Sequence, residues 1–305
     1  MKKYIVTTTI NSPTLATQLY CNKEDWTVIV VGDKKTPHNE YKELRGCIYL
    51  TPEYQQQEYP ELSDIIGWNT IQRRNIGFIE AYRRGADVLA TVDDDNIPYE
   101  TWGNNLLLGQ TAEVDFYTTD NIVFDPLSVT NHSNLWHRGF PIELLKVKNS
   151  ITYQGKKNMH VKIQADLWDG DPDIDAICRL SLRPIVKFNT QVPYASNKLS
   201  PFNSQNTFLL REVIPHYTVL PHVGRMDDIW ASYYVQTIFK DNLVYNSASV
   251  YQDRNAQDLI LNLEKEIIGY RNTLNFIKQD SNILTAPFVP ERTKEFFECY
   301  KKQFN

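Results

Sequence analysis

The chain predicts an α/β fold: a mixed, mostly parallel sheet flanked by helices, closed by a C-terminal helical cap. Three observations carry that prediction. Short β-branched runs alternate with helix-period segments through the first hundred residues, the pattern of strands joined by crossover helices. Two of the runs end directly in acidic residues, Gly32-Asp33 and Asp93-Asp94-Asp95, the place where open α/β sheets bind ligands. The last sixty residues carry apolar positions near helical spacing with charges between them.

The elements follow in order. Residues 3–10, KYIVTTTI, are rich in Val, Ile and Thr and read as a strand. Asn11-Ser12-Pro13 turns the chain, and Pro13 suits a helix start. Residues 27–33, TVIVVGD, form a near-continuous apolar run, as in a strand buried on both faces. Residues 46–51 are a shorter strand candidate, and the polar stretch around YQQQEYP, 54–60, reads as a loop. Residues 69–85 place Ile71, Phe78, Ile79 and Tyr82 near a helical stripe, with Asn69 as its N-cap and Gly85 in the left-handed position after the last turn. Residues 87–92, DVLATV, are a strand running into the acidic triplet. From about 101 to 245 the pattern is mixed, with strand-like pieces at 115–120, 183–189 and 207–212 among Pro- and Asp-rich loops. Leu259, Leu263, Ile267 and Leu274 then mark the helical cap. No internal repeat, low-complexity tract or flexible linker interrupts the chain.

With 305 residues, 42% of them apolar, the chain can bury a large core. Its net charge of −5 argues against a nucleic-acid or anionic-membrane binder. No run approaches the roughly 20 apolar residues of a membrane span, and the N-terminus lacks a signal-peptide pattern. The four cysteines, Cys21, Cys47, Cys178 and Cys299, are far apart in sequence and show no metal-ligand spacing, so they read as reduced thiols of a cytoplasmic protein.

The acidic triplet is the sharpest feature. Asp93 and Asp95, at i and i+2 after a strand, suit a hard cation such as Mn²⁺ or Mg²⁺, which one or two carboxylates hold while phosphates complete the shell. A cation there also lets an acidic protein bind a diphosphate. An Asp-x-Asp after a strand also occurs in aspartyl-nucleophile phosphohydrolases, but Ile97-Pro98 stands where those carry Thr or Val. Arg73, Arg74 and Asn75 lie just upstream, and a guanidinium fork matches phosphate oxygens. Asp227 and Asp228 form a second acidic pair, suited both to the first turn of a helix and to accepting the proton of an attacking hydroxyl. Trp230 follows, able to stack on a sugar or to fill the core. Asp169, Asp171, Asp173 and Asp175 alternate in DGDPDIDA. They lack the later Glu of a calcium loop and read as an acceptor-side loop.

Taken together, VIVVGDKKTP (28–37), RRNIGFIEAYRRGADVLATVDDDNIP (73–98) and VYQDRNAQDLI (250–260) resemble the STELLO-type glycosyltransferase-like proteins. HRGFPIELL (137–145), LWDGDPDIDA (167–176), PFNSQNTFL (201–209) and RMDDIWASYY (225–234) resemble the reversibly glycosylated polypeptides, which include the UDP-arabinopyranose mutases. The resemblance runs in order from about residue 4 to 268. It implies a GT-A fold and a metal-dependent glycosyltransferase that moves a sugar from a nucleoside-diphosphate sugar, UDP-linked, to a glycan or other hydroxyl acceptor. Surface-polysaccharide assembly in a bacterium is a natural setting. On this reading residues 1–100 bind the nucleotide sugar, 101–250 bind the acceptor and hold the catalytic groups, and 251–305 form the helical segment.

The same resemblance assigns roles. Asp33 reads the base or ribose, Arg74, Asn75, Asp93 and Asp94 face the nucleotide sugar, and Asp95 with Asp93 holds the metal. Asp227 or Asp228 is the catalytic base. Asp173, Asn206, Arg225 and Trp230 line the acceptor side. Arg138 matches the arginine that becomes glycosylated in the mutases. Two departures stand out: Leu145 replaces a second mutase arginine, and Gln252 stands where those proteins place a histidine that could ligate the metal. The alternatives are a pyranose–furanose mutase with Arg138 as transient glycosyl carrier, and a non-catalytic GT-A-like partner that binds nucleotide.

Overall fold

The computed structural model describes residues 1–190 and 192–304. Its elements are β1 (Lys3–Thr9), α1 (Leu15–Cys21), β2 (Trp26–Gly32), α2 (His38–Glu43), β3 (Cys47–Leu50), α3 (Pro52–Glu58), α4 (Pro60–Ile66), α5 (Arg74–Arg83), β4 (Val88–Val92) and β5 (Asn96–Pro98). They continue with β6 (Thr111–Thr119), β7 (Ile151–His160), β8 (Ile163–Gly170), α6 (Ala176–Leu182), β9 (Tyr194–Ser196), β10 (Asn206–Leu210), α7 (Asp227–Ile238), β11 (Leu243–Gln252), α8 (Leu259–Lys278) and α9 (Glu291–Lys302).

All the strands join one sheet in the order β3-β2-β1-β4-β10-β8-β11-β9-β6-β7, with β5 pairing β11 off this path. The first four strands are mutually parallel. β10 is antiparallel to both β4 and β8, and β8 runs parallel to β11. Hence the carboxyl ends of β1, β2, β4, β8 and β11 share one edge with the amino end of β10. One apolar cluster packs beneath α4, α5, α7 and α9, and a second packs around α1, Trp26, Trp102 and Trp168. The sheet therefore carries a core on each face, as the sequence pattern predicts.

Most of the local expectations hold. β2 and β4 are almost wholly buried, as their unbroken apolar runs require. Thr14, next to Pro13, caps α1 by accepting from the Thr17 amide. Gly85 takes φ 83° just past α5. Asn69 does not cap that helix: it sits at φ 58°, and a 3-10 turn at Ile71–Arg73 precedes the α-helix proper.

Two stretches differ from expectation. Residues 54–60 belong to α3 and α4, not to a loop. Thr51 caps α3, Pro52 and Pro60 open the two helices, and the Gln55 side chain is buried, donating to Gly32 O and Leu50 O. A polar residue used to satisfy strand ends looks like surface in a sequence. Residues 183–189 form no strand; Val186 alone makes a bridge, to Gly170, and Pro184 has no amide to offer a ladder. The long β7 carries mostly exposed polar residues, so its strand character is hidden from apolar patterning. Among the described residues no helix is long and apolar enough to cross a membrane.

Candidate active site

The shared carboxyl edge carries two adjoining cavities. The smaller, about 210 Å³, is lined by Thr9, Asn11, Asp33, Asp94 and the Asn69–Ile71 turn. Asp33 is anchored from both sides: its Oδ1 accepts from the Lys34 amide at 2.7 Å and its Oδ2 from the Thr70 amide at 3.0 Å. Each oxygen keeps a second lone pair for a ligand donor. The Asp94 carboxylate accepts from Thr9 Oγ1 and from Asn11 Nδ2 at 3.0 Å, so it shapes the β1–α1 loop that walls this groove.

The larger cavity, about 440 Å³, shares the Asn69–Ile71 wall and is lined on its far side by Asp93, Arg138, Asp173, Asp227, Asp228 and Arg254. Arg138 lies at its centre. Its Nε and one terminal nitrogen reach Asp173 Oδ2 at 3.0 and 2.8 Å, the other reaches Asp228 Oδ1 at 2.9 Å and Asp227 Oδ1 at 3.6 Å, and the guanidinium also donates to Arg225 O. Burial works against this charge, yet the three carboxylates outweigh burial and hold Arg138 firmly protonated. The same balance holds Asp173 well below the carboxylate range: burial raises it, and Arg138, Arg225 and Arg254 overcome that.

Backbone geometry puts Arg138 there. Gly139 follows at φ 83°, and a Cβ on it would come 2.1 Å from Ile229 Cγ2 of α7. Gly139→Ala is expected to lose about 2 kcal/mol or more of stability from the left-handed backbone and the overlap together. Urea denaturation checks it; an unchanged midpoint would mean that this loop adapts.

The two neighbouring aspartates of α7 differ sharply. Asp228 accepts from the Ser204 amide at 2.8 Å, from Ser204 Oγ at 3.1 Å and from Arg138, so despite burial its carboxyl lies below the usual range. Asp227 accepts from Gln72 Nε2 at 2.8 Å, and burial, then the Asp228 charge, pushes it up to about 7. Ser204 links this pair to the acidic triplet, because Arg74 donates to Ser204 O at 2.9 Å and pairs with Asp93 at 2.5 Å.

Asp95 and Gln252 form the third part of the site. Asp253 N donates to Asp95 O at 3.0 Å, and Gln252 pairs in register with Asn96, so β5 and β11 set the two side by side. Asp95 Oδ1 and both amide atoms of Gln252, a residue 1% exposed, are buried without a hydrogen-bond partner. Such orphaned polar atoms are costly unless a ligand meets them. Burial and then Asp93 push Asp95 up to about 7. Among the described residues no three His, Cys, Asp or Glu side chains form a ready cage. The oxygen set of Asp93, Asp95 and the Gln252 amide nonetheless fits a hard cation whose remaining sites are filled by phosphate and water.

Three residues expected at the site lie away from it. Trp230 is 0% exposed; its indole donates to Thr273 Oγ1 at 3.0 Å and stacks on Phe276, so it fills the core and offers no face to a sugar. Asn75 is consumed by Val219 N and O and by Gln72 O. Asn206 holds Trp102 Nε1, Leu167 O and Ser249 Oγ inside the sheet. Asp169, Asp171 and Asp175 also have structural partners: Tyr99 and Phe188 N, Arg179, and the α6 amides. Arg225 stands at the rim, paired with Glu266 at 2.8 Å and Asp173 at 3.3 Å.

Nothing in the local pattern marked Arg254, whose side chain is 7% exposed and lines the larger cavity. Its acidic partners, Asp171 and Asp173, are no closer than 3.6 and 3.8 Å, one terminal nitrogen donates to Asp171 O at 3.4 Å, and its Nε has no hydrogen-bond acceptor. Burial lowers its pKa. Its ion pairs with Asp171 and Asp173 are long, which leaves guanidinium donors for an anion entering the cavity.

No protein-family model matches the chain. In sequence it is similar to the STELLO glycosyltransferases. It is 22% identical over 228 residues to the Arabidopsis thaliana proteins named "Probable glycosyltransferase STELLO2" and "Probable glycosyltransferase STELLO1", an alignment covering 68% of this chain and 29% of each relative. The chain thus spans well under half the length of the curated relatives it matches. Among solved structures, glucosyl-3-phosphoglycerate synthase from Mycobacterium tuberculosis, in complex with Mn²⁺, UDP and phosphoglyceric acid, superposes with a TM-score of 0.44 at 11% identity, covering 92% of this chain and 78% of that one.

Proposed function

We propose that the chain is a divalent-metal-dependent glycosyltransferase that takes a sugar from a nucleoside-diphosphate donor and passes it to a hydroxyl acceptor. The observation that carries this reading is the set of unpartnered buried atoms on Asp95 and Gln252, with Asp95 following Asp93 of the larger cavity and Asp94 of the smaller one. Sequence similarity to proteins named glycosyltransferases supports it.

On this reading the base and ribose occupy the groove at Asp33, whose free lone pairs accept a base N–H or a ribose hydroxyl. Asp93, Asp95 and Gln252 would hold Mn²⁺ or Mg²⁺, which supplies Lewis-acid stabilisation of the leaving diphosphate. Arg254 answers the diphosphate charge with its underused guanidinium. Arg74 fixes Asp93 rather than touching the donor.

The sugar then lies against Arg138 and the α7 aspartates, with the acceptor entering past Arg225. Asp227 is the base, because it is raised toward neutrality and faces the cavity, whereas Asp228 is held ionised by Arg138 and Ser204. A base needs its proton off. The transfer rate should therefore fall about tenfold per pH unit below about 7. Asp227→Asn should cost roughly 10²–10⁴-fold and leave a residual rate without that acid limb at saturating metal. A residual rate with the same limb would remove Asp227 from the role.

The second reading makes Arg138 a transient glycosyl carrier. Nucleophilic attack needs a neutral guanidine nitrogen, and three carboxylates oppose that loss of charge. We therefore assign Arg138 to holding the acidic cluster in place. Titrating UDP and GDP calorimetrically with and without Mn²⁺ tests the donor site. Incubating UDP-sugars without acceptor separates the two reactions: furanose product with donor alone would favour the mutase. Failure of both nucleotides to bind under any metal would sink the donor site itself and favour a phosphohydrolase or a non-catalytic partner.

A further inference from the structure

Cys21 and Cys47 are 26 positions apart in sequence, yet the fold sets them together. Cys21 ends α1, and Cys47 opens β3, the edge strand of the sheet. The contact is tight at the backbone. Gly46 turns at φ 84°, and a Cβ on it would fall 2.2 Å from Cys21 O and 3.3 Å from Cys21 Cβ. Only a residue without a side chain lets the start of β3 approach the end of α1 so closely.

We propose that Cys21 and Cys47 are a redox-modification site that closes reversibly to a disulfide. The inference is independent of the transfer reaction. Both side chains are part-exposed, whereas Cys178 and Cys299 are buried, and β3 has no strand on its outer side, so a small oxidant can reach the pair.

Cys47 Sγ donates to Leu44 O at 3.6 Å, and the two thiols perturb one another: the neighbouring Cys47, then burial, raises Cys21, while the neighbouring Cys21 lowers Cys47. Either thiol can open the exchange, and the steps are the same with the two exchanged. With oxidised glutathione as oxidant, Cys47 Sγ bonds to one glutathione sulfur and the other leaves as a thiolate that takes up the proton. Cys21 Sγ, losing its proton, then attacks Cys47 Sγ and expels the second glutathione. Two protein thiols are oxidised to one disulfide and one glutathione disulfide is reduced to two thiols. The bond closes a loop over residues 22–46 that contains β2 and Asp33, constraining the unfolded chain more than the folded one.

The test uses the full-length protein with oxidised glutathione, followed by thiol counting with Ellman's reagent, intact mass and peptide mapping. The expected result is simultaneous loss of two thiols, a protein lighter by two hydrogens, a Cys21–Cys47 cross-linked peptide and a raised melting temperature. Cys21→Ser should trap a glutathione adduct on Cys47, and Cys47→Ser should trap one on Cys21, neither going on to a disulfide. Both are mild substitutions at part-exposed positions, so folding is retained as the comparison. A wild-type protein that stops at the glutathione adduct, cross-links through Cys178 or Cys299, stays unreacted, or melts lower once oxidised would overturn the proposal.

Discussion

Asp95→Asn is expected to abolish metal-dependent nucleotide binding while leaving the apo protein more stable above neutral pH. The two effects share one cause. Asp95 is buried beside Asp93 and has an oxygen that nothing in the protein meets. Its pKa is pushed up to about 7, against about 3.9 in an unfolded chain. The folded state therefore holds the proton more tightly, and stability falls as pH rises from about 4 to about 7. Asparagine carries no charge to strand, so the slope disappears, and at pH 8 the apo variant should gain roughly 2–4 kcal/mol.

A cation repays the buried charge in the native protein and finds too little of it in the variant. Loss of even an outer partner of a metal ligand costs about 10–100-fold in affinity, so loss of this carboxylate should exceed that range. Calorimetry with UDP and Mn²⁺ measures the first effect and chemical denaturation across pH measures the second. A variant that keeps metal-dependent binding would show that Asp95 is a structural carboxylate. One that binds nothing and is also destabilised would show only that the fold was damaged.

Arg138→Ala is expected to be the most damaging single change in the larger cavity. Arg138 lies against Asp173, Asp227 and Asp228, all nearly dry. Removing it leaves three carboxylates facing one another, and breaking a buried pair in this way costs about 3–5 kcal/mol. The deficit should be full at pH 7.5 and shrink toward pH 5, because the stranded carboxylates then take up protons. Arg138→Lys should recover little, since an ammonium cannot reach Asp173 and Asp228 at once as a planar fork does. Denaturation of both variants at the two pH values checks the argument; a pH-independent deficit would point to lost packing instead of lost charge. Mass analysis of the native protein incubated with UDP-sugars adds a separate readout. A sugar adduct on Arg138 would restore the carrier role that its ion pairs oppose.

The readable parts of this protein were those where the local pattern and the tertiary demand coincide. β2 and β4 are buried on both faces, so their apolar runs declared them. The triplet after β4 and the pair opening α7 announced themselves because three or two adjacent carboxylates need a cation, a helix terminus or water. Where a side chain serves a distant backbone, the pattern misled. Gln55 made a helix look like a loop, and Asn75 and Trp230, which the resemblance assigns to ligand contacts, instead tie α5 and α7 into the core.

The sequence by itself determined the α/β class, the acidic edge and the identity of most charged groups on it. Tertiary structure alone decided which charges meet. It put Arg138 among three carboxylates drawn from α7 and the loop after β8, separated Asp227 from Asp228 by their partners, and brought Gln252 beside Asp95 and Cys21 beside Cys47. Chain spacing fixes neighbours within a turn or a strand. Ion pairing, burial and the pKa shifts they cause depend on distances between elements, and those exist only once the sheet has formed.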